Sequence, residues 1–520
     1  MLRGVLTVGG WTMASRVLGF ARDMLIAARL GAGPMADAFF VALQLPNLFR
    51  RLFGEGAFAA AFVPAFAGTL ARDGRAAARD LAERMAGLMA LWLAMLTGLG
   101  VLFMPGVLTV LVPGFLERPD KFALTVELCR ITLPYLWFIC LTALVAGALN
   151  GLDRFAAAAA APVLFNVFGI AALLGLTPFV ATPAHALAWG VLASGAAQLA
   201  LVLVAVRAAG MPLNPLRRPR LTPGVRTVLL KMGPGLVGAG AFYINQFVSM
   251  VIASLLPSGA VSYLYYADRV GQLPLGVIGA AVGTALLPLL SRQLRSGQAL
   301  AAHRSMNRAI EVALALSLPA AVGLALAAPP IVAALFERGA FDAVATGRTA
   351  AALAAYALGI PAFVLVKALA PGFFARGDTT TPVVVALFTV AANIALNLAL
   401  MGPLAHVGIA LGTALAAWVN ALALAWLLAR RGQLVLDRQC RRRAPRLLLA
   451  SALMGAALWV AQAAVPPGLP AVLLVPVLVA LGGAVFFAAA QALGALDLRE
   501  LRGLLRRRGR VQPAATASSA

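Results

Sequence analysis

Seven bases and five acids lie inside otherwise apolar stretches of this sequence: Arg16, Arg22, Arg50, Arg51, Arg130, Arg269 and Lys367, with Asp23, Asp37, Glu55, Glu127 and Asp268. Arginine presents a planar fork of donors that meets phosphate or carboxylate oxygens two at a time, and it stays charged at any physiological pH. A group of such bases that outnumbers its acids is chemistry for holding a phosphate-bearing anion. Each charge at the centre of a membrane helix costs about 2.5–3.5 kcal/mol on an insertion scale. These residues must therefore pair, approach an interface or line a wet cavity.

Spacing sorts them. Glu127 and Arg130 are three residues apart near a helix start, which predicts an ion pair within one helix. Arg51 and Glu55 are four apart and read either as a structural pair or as a gate that opens. Asp268 and Arg269 are adjacent, do not face each other on a helix, and need partners elsewhere. Lys367 has no acid within ten residues on either side, which gives it the strongest claim to a substrate role.

The elements that position these residues follow from composition. The 520 residues are 62% hydrophobic and only 12% charged, with a mean hydropathy of +0.92, so the solvent of this chain is a bilayer. A spanning helix needs about 20 mostly apolar residues. Cuts at charged or Pro/Gly-rich breaks give fourteen segments: 5–30, 34–68, 84–112, 122–149, 157–179, 184–206, 226–256, 261–290, 306–328, 346–374, 381–402, 406–429, 446–465 and 470–495. The second is long enough to break at Gly54 and Gly56. The fold class expected is an all-α polytopic membrane protein.

The net charge of +24 would suggest nucleic acid in a soluble protein. Here, with the amino terminus placed in the cytoplasm, thirty of the 42 bases fall in loops and tails on that side and five on the other. That asymmetry obeys the positive-inside rule and predicts both termini inside, with no nucleic-acid partner. The first helix has no cleavage pattern and is read as retained. The last residues, from Val511, are small and polar and carry no assigned role.

An internal repeat organises the helices. Ile26-Ala27, Leu30 and Gly33 with Gln44-Leu45-Pro46 have counterparts in Ile252-Ala253, Leu256 and Gly259 with Gln272-Leu273-Pro274. Pro134 with Asn150-Gly151-Leu152-Asp153 is echoed by Pro361 with Arg376-Gly377-Asp378. The predicted division is a six-helix lobe over 1–210, a second over 211–430, two extra helices over 431–496 and a basic tail over 497–520. Two parallel lobes of this kind rock about a central site, and facing lobes bring the bases together. Gly276, Gly279 and Gly283 have the spacing that lets helices approach closely.

Other chemistries have little support. Cys129, Cys140 and Cys440 form no CxxC pair, and His185, His303 and His406 are scattered, so no metal centre is expected. No GxxxxGK[ST], DxD or HExxH pattern occurs, and no cofactor is expected. A membrane enzyme acting on lipid pyrophosphates is the alternative of a different class. Exporters of drugs or of other polyprenyl-linked glycans are the alternatives within transport.

Several blocks closely resemble the MurJ (MviN) lipid II flippases: Ser15-Arg16-Val17-Leu18-Gly19-Phe20-Ala21-Arg22-Asp23, Asp37-Ala38-Phe39-Phe40, Leu45-Pro46-Asn47-Leu48-Phe49-Arg50-Arg51-Leu52-Phe53-Gly54-Glu55-Gly56, Tyr265-Tyr266-Ala267-Asp268-Arg269 and Lys367-Ala368-Leu369-Ala370-Pro371. The resemblance implies the multidrug/oligosaccharidyl-lipid/polysaccharide exporter fold, with the last two helices forming a groove for a polyprenyl tail. It implies that Arg16, Arg22 and Arg269 contact an anionic head group, joined by Arg51 and Lys367. It gives gating or orienting roles to Asp23, Asp37, Asn47, Arg50, Glu55 and Asp268. The implied partners are lipid II, membrane lipids and the cell-wall synthesis machinery, in a bacterial inner membrane. Some relatives bind sodium, and Asn393, Asn397 and Thr413 could supply oxygens here, although Ser249 stands where an acid would complete the set.

Overall fold

A computed structural model of the chain describes residues 2–50, 57–465 and 468–496. Every regular element among them is helical, as a chain in hydrocarbon requires, because a helix satisfies its backbone polar groups within itself. In order the α-helices are α1 (Leu2–Leu30), α2 (Pro34–Arg50), α3 (Ala57–Leu102), α4 (Met104–Leu111), α5 (Pro119–Thr132), α6 (Tyr135–Gly151), α7 (Ala156–Ala171), α8 (Pro183–Ala208) and α9 (Pro223–Ser254). There follow α10 (Ala260–Arg295), α11 (Ala299–Leu326), α12 (Ala328–Phe336), α13 (Ala343–Ala357), α14 (Ile360–Phe374), α15 (Thr380–Arg430), α16 (Arg438–Ala463) and α17 (Ala471–Ala492). Among the described residues, nine helical stretches are long and apolar enough to cross a membrane.

The expected segments map onto these helices with three differences. The loop expected between residues 68 and 84 is instead helix, interrupted at Gly74 (φ 80°, ψ −175°). Its Ala-rich sequence favours helix, and Arg79–Glu83 (2.8 Å) and Arg84–Asp80 (2.6 Å) close it with i,i+4 pairs. The boundary expected between segments 381–402 and 406–429 is present as a kink at Ala405 (φ 48°, ψ −129°), where two helices meet within α15. The segments 122–149 and 346–374 each divide into two helices, at Leu133-Pro134 and at Leu358-Gly359. The short α12 has no counterpart among the expected segments. Gly54, Gly56, Arg51, Glu55 and the basic tail lie outside the described residues.

The chain forms two compact units. The first comprises Met1–Arg269, Leu335–Ala352 and Ala386–Ala416; the second comprises Val270–Ala334, Leu353–Val385 and Ala417–Ala520. In the first, α1 packs on α7, α3 on α6 and α9, α8 on α6 and α7, and α2 on α5. Phe58, Phe62 and Phe66 form a buried aromatic row along α3, against which Gly147 and Gly151 of α6 are seated.

In the second unit α11 packs on α14 and α16, and α16 on α17. Leu447, Met454 and Leu458 of α16 meet Leu478 and Phe486 of α17 in one apolar cluster. Gly455 brings α16 onto Val322 and Leu326 of α11, the close approach that small residues permit. Val472, Leu473, Val477 and Val479 of α17 remain exposed, as suits a helix whose solvent is lipid.

Candidate anion-binding site

The first unit stacks three layers of side chains along α2 and α10. The outermost is ionic. Asp37, 1% exposed, accepts from Lys121 Nζ (2.7 Å), the Gly259 amide (2.7 Å), the Ser262 amide (2.9 Å) and the Ser262 hydroxyl (2.6 Å). One carboxylate thereby ties α2 to α5 and to the start of α10. Lys121 also lies over the Phe115 ring, 3.7 Å from its centroid. A buried ion pair of this kind is tolerated only when the remaining lone pairs find donors, which here they do.

Below it lies an aromatic layer. Phe40 stacks on Tyr265 at 3.8 Å and meets Tyr266 edge-on at 5.2 Å. Tyr266 in turn contacts Phe336 and Phe341 and donates its hydroxyl to the Gly31 carbonyl. Gly31 (φ 66°) and Gly339 (φ 60°) sit back to back here, the Ala340 amide donating to Ala28 O at 2.9 Å. A side chain at either position would run into the facing backbone carbonyl.

The third layer is cationic. Arg22 donates through Nε (3.1 Å) and Nη2 (2.7 Å) to one oxygen of Asp23, and Arg269 Nε lies 3.0 Å from the other. Arg269 also donates to the Tyr265 hydroxyl, which orients its fork. Arg22 is buried against the Phe165 ring, its stem running across Gly169. Arg269 keeps 40% of its side chain exposed. Two guanidiniums on one carboxylate leave a positive surplus, and the exposed member is the one able to meet a ligand.

The remaining expected residues are placed as follows. Arg16 is exposed on α1, and Asp268 is exposed on α10. Asn47 donates to Leu43 O (2.8 Å) and accepts from Arg50 Nε (3.2 Å), so it fixes the arginine along α2. Lys367 is exposed on α14 in the second unit. Asn393 and Asn397 are buried, with the Asn393 carbonyl and both polar atoms of Asn397 lacking a protein partner, while Thr413 donates to Ile409 O.

The ion pair expected between Glu127 and Arg130 does not form. Glu127 meets His185 Nε2 at 3.2 Å and Arg130 donates to Val101 O at 3.2 Å, because each finds a partner on another helix or its end. Lys121, which the segment boundaries leave in a loop, is buried instead, and nothing within its own helix signals this. The adjacent Arg22 and Asp23 do pair, since the long arginine stem folds back to a neighbour that Cβ directions alone place elsewhere.

Among the described residues, many helices, nine stretches of them long and apolar, and a paired but net-cationic cluster held between them define a multi-pass membrane transporter. The family model for "Lipid II flippase MurJ" matches residues 26–479. A Rhizobium tropici protein described as "Probable lipid II flippase MurJ" is 44% identical over 530 residues, covering 100% of this chain and 99% of that protein. The chain belongs to the lipid II flippase MurJ family. Its fold is similar to a solved structure of "Lipid II flippase MurJ, inward closed conformation", with a TM-score of 0.77, 23% identity and coverage of 94% of this chain and 98% of that one. A multidrug resistance MATE family transporter of the MOP superfamily, in an inward-facing conformation, shares the fold at a TM-score of 0.65 and 17% identity, covering 82% and 98%.

Proposed function

We propose that this chain moves lipid II from the cytoplasmic to the periplasmic leaflet of the inner membrane, its bases neutralising the pyrophosphate. The observation that carries this reading is the Asp23 carboxylate shared by Arg22 and Arg269, which leaves a partly exposed guanidinium and a net positive charge. Arg16 and Lys367, and Arg51 outside the described residues, add cations to the same task. Both termini lie in the cytoplasm, and the lobes are those of the repeat, 1–210 and 211–430. The exposed apolar flank of α16 and α17 takes the polyprenyl tail.

Alternation follows from breaking and remaking the layers. Asp37 and Glu55 gate, Asp23, Asn47, Arg50 and Asp268 orient the bases, and the head group moves without covalent chemistry. Outward passage of negative charge across a membrane negative inside is favoured by about 2.3 kcal/mol per charge per 100 mV. Asn393, Asn397 and Thr413 offer amide and hydroxyl oxygens but no carboxylate, a poor set for a hard cation such as sodium. Contacts with the cell-wall synthesis machinery belong to the same reading.

The test is reconstitution. Vesicles carrying lipid II on the inner leaflet should expose it to an impermeant probe only when the protein is present, with no phosphate released. Phosphate release would turn the reading to a lipid-pyrophosphate enzyme. Probe-inaccessible lipid II with correctly inserted protein would remove lipid II as the cargo.

A further inference from the structure

Gly279 of α10 is buried, and the side chain of Lys367 from α14 lies across it. A methyl group on Gly279 would stand 2.5 Å from Nζ, 2.8 Å from Cδ and 3.1 Å from Cε of the lysine. All three atoms belong to the outer part of the side chain. Around this point Ile278 packs with Val364 and Ala368 in a single apolar cluster, so the two backbones are held in fixed register. The sequence suggests that the Gly276, Gly279 and Gly283 spacing serves helix approach. At Gly279 the space is filled by a charged side chain instead.

We infer that Gly279 is a positioning residue for Lys367: its missing side chain is the seat that fixes where the ammonium group is presented to a pyrophosphate oxygen. The inference rests on the reading that Lys367 binds the anion. Contacts this short cannot persist, so Gly279→Ala must displace either a helix or the lysine. The lysine stem is four flexible carbons, whereas the helices are held by packed apolar residues, so the lysine moves. The ammonium then leaves its place while the fold survives. Gly283, one turn further along α10, has open space where a methyl group would stand, with nothing within 4 Å, and supplies the control.

The experiment uses the full chain in lipid nanodiscs and a short-chain polyprenyl pyrophosphate as probe, with binding affinity and thermal unfolding measured together. Lys367→Ala should weaken binding roughly 10-fold, as loss of a charge-assisted contact does. Gly279→Ala should weaken it by a similar factor at unchanged thermal stability, and Gly283→Ala should bind as the wild type does. In the Lys367→Ala background, adding Gly279→Ala should cost nothing further. Wild-type binding by Gly279→Ala beside a weakened Lys367→Ala overturns the inference and leaves the reading of Lys367 standing. A further loss in the double variant, or a fall in stability that persists there, makes Gly279 a packing residue and also overturns it. Wild-type binding by Lys367→Ala removes the lysine from the site, and the inference with it.

Discussion

Asp23 on α1 and Arg269 on α10 are joined at 3.0 Å through Asp23 Oδ2 and Arg269 Nε, while the other oxygen of the same carboxylate holds Arg22. A guanidinium fixed in this way has its fork aimed before a ligand arrives, and the ordering cost on binding is reduced. On the proposed reading Asp23 serves anion recognition by aiming the bases it holds, although it carries the wrong charge to touch the anion.

That arrangement separates charge from geometry. Asp23→Asn keeps the shape but weakens both contacts, and lipid-pyrophosphate binding should fall about 10-fold, in line with loss of roughly 1.4 kcal/mol. Arg269→Lys retains the charge without the fork and should be impaired, because a point charge does not replace a bidentate donor. Isothermal titration on nanodisc-embedded protein checks both. An Asp23→Asn variant that binds more tightly would show that the carboxylate competes with the ligand.

The Asp37–Lys121 pair makes a different prediction. Removing one member of a buried pair costs about 3–5 kcal/mol, and the cost lies in the charge left behind. Lys121→Met should sit at the lower end, because Gly259 and Ser262 still donate to Asp37. The double variant Asp37→Asn with Lys121→Met should be less destabilised than the two singles summed. Thermal unfolding of the four proteins in detergent closes the cycle, and strict additivity would mean that the pair is not coupled.

Gly31 and Gly339 should resist substitution for two reasons that act together. Both adopt positive φ, and a methyl group on either meets the facing backbone rather than a movable side chain. Alanine at either site should lower the unfolding temperature, with a cost of about 1–3 kcal/mol from backbone strain alone. Gly68→Ala on α3, where space is open, should leave it unchanged in the same assay.

A pH effect is expected at the turn before α15. The Thr381 hydroxyl and amide, then Arg431, hold the Asp378 carboxyl down at about 2. A depressed folded-state value means that the clasp stabilises the fold above the ordinary carboxylate range near 4 and is lost as pH falls through about 2. Hydrogen exchange at residues 376–381 and 429–432 should rise over that window. Asp378→Asn should show raised exchange at neutral pH and no acid step.

Much of this is legible in the sequence for identifiable reasons. Apolar run length marks the helical stretches, because crossing a bilayer takes about 20 mostly apolar residues. Charges inside those runs point to Arg22, Asp23, Asp37 and Arg269, because a charge there needs a purpose. Partnership is what local spacing hides. Lys121 finds Asp37 through the tertiary fold, Glu127 finds His185 rather than Arg130, and no local spacing encodes either contact. Composition overstates the loop near residue 75: its charges read as a long break, yet the chain breaks only at Gly74, and the charges close i,i+4 pairs on the helix that follows.

The most direct test of the central claim uses bacterial cells in which this chain is the only flippase, with an impermeant periplasmic probe reporting how much lipid II is exposed. Wild-type protein should expose it, and Arg269→Ala at equal expression should not. Exposure that is the same in both would make Arg269 a structural residue and would contradict the account of the cationic cluster built on Asp23.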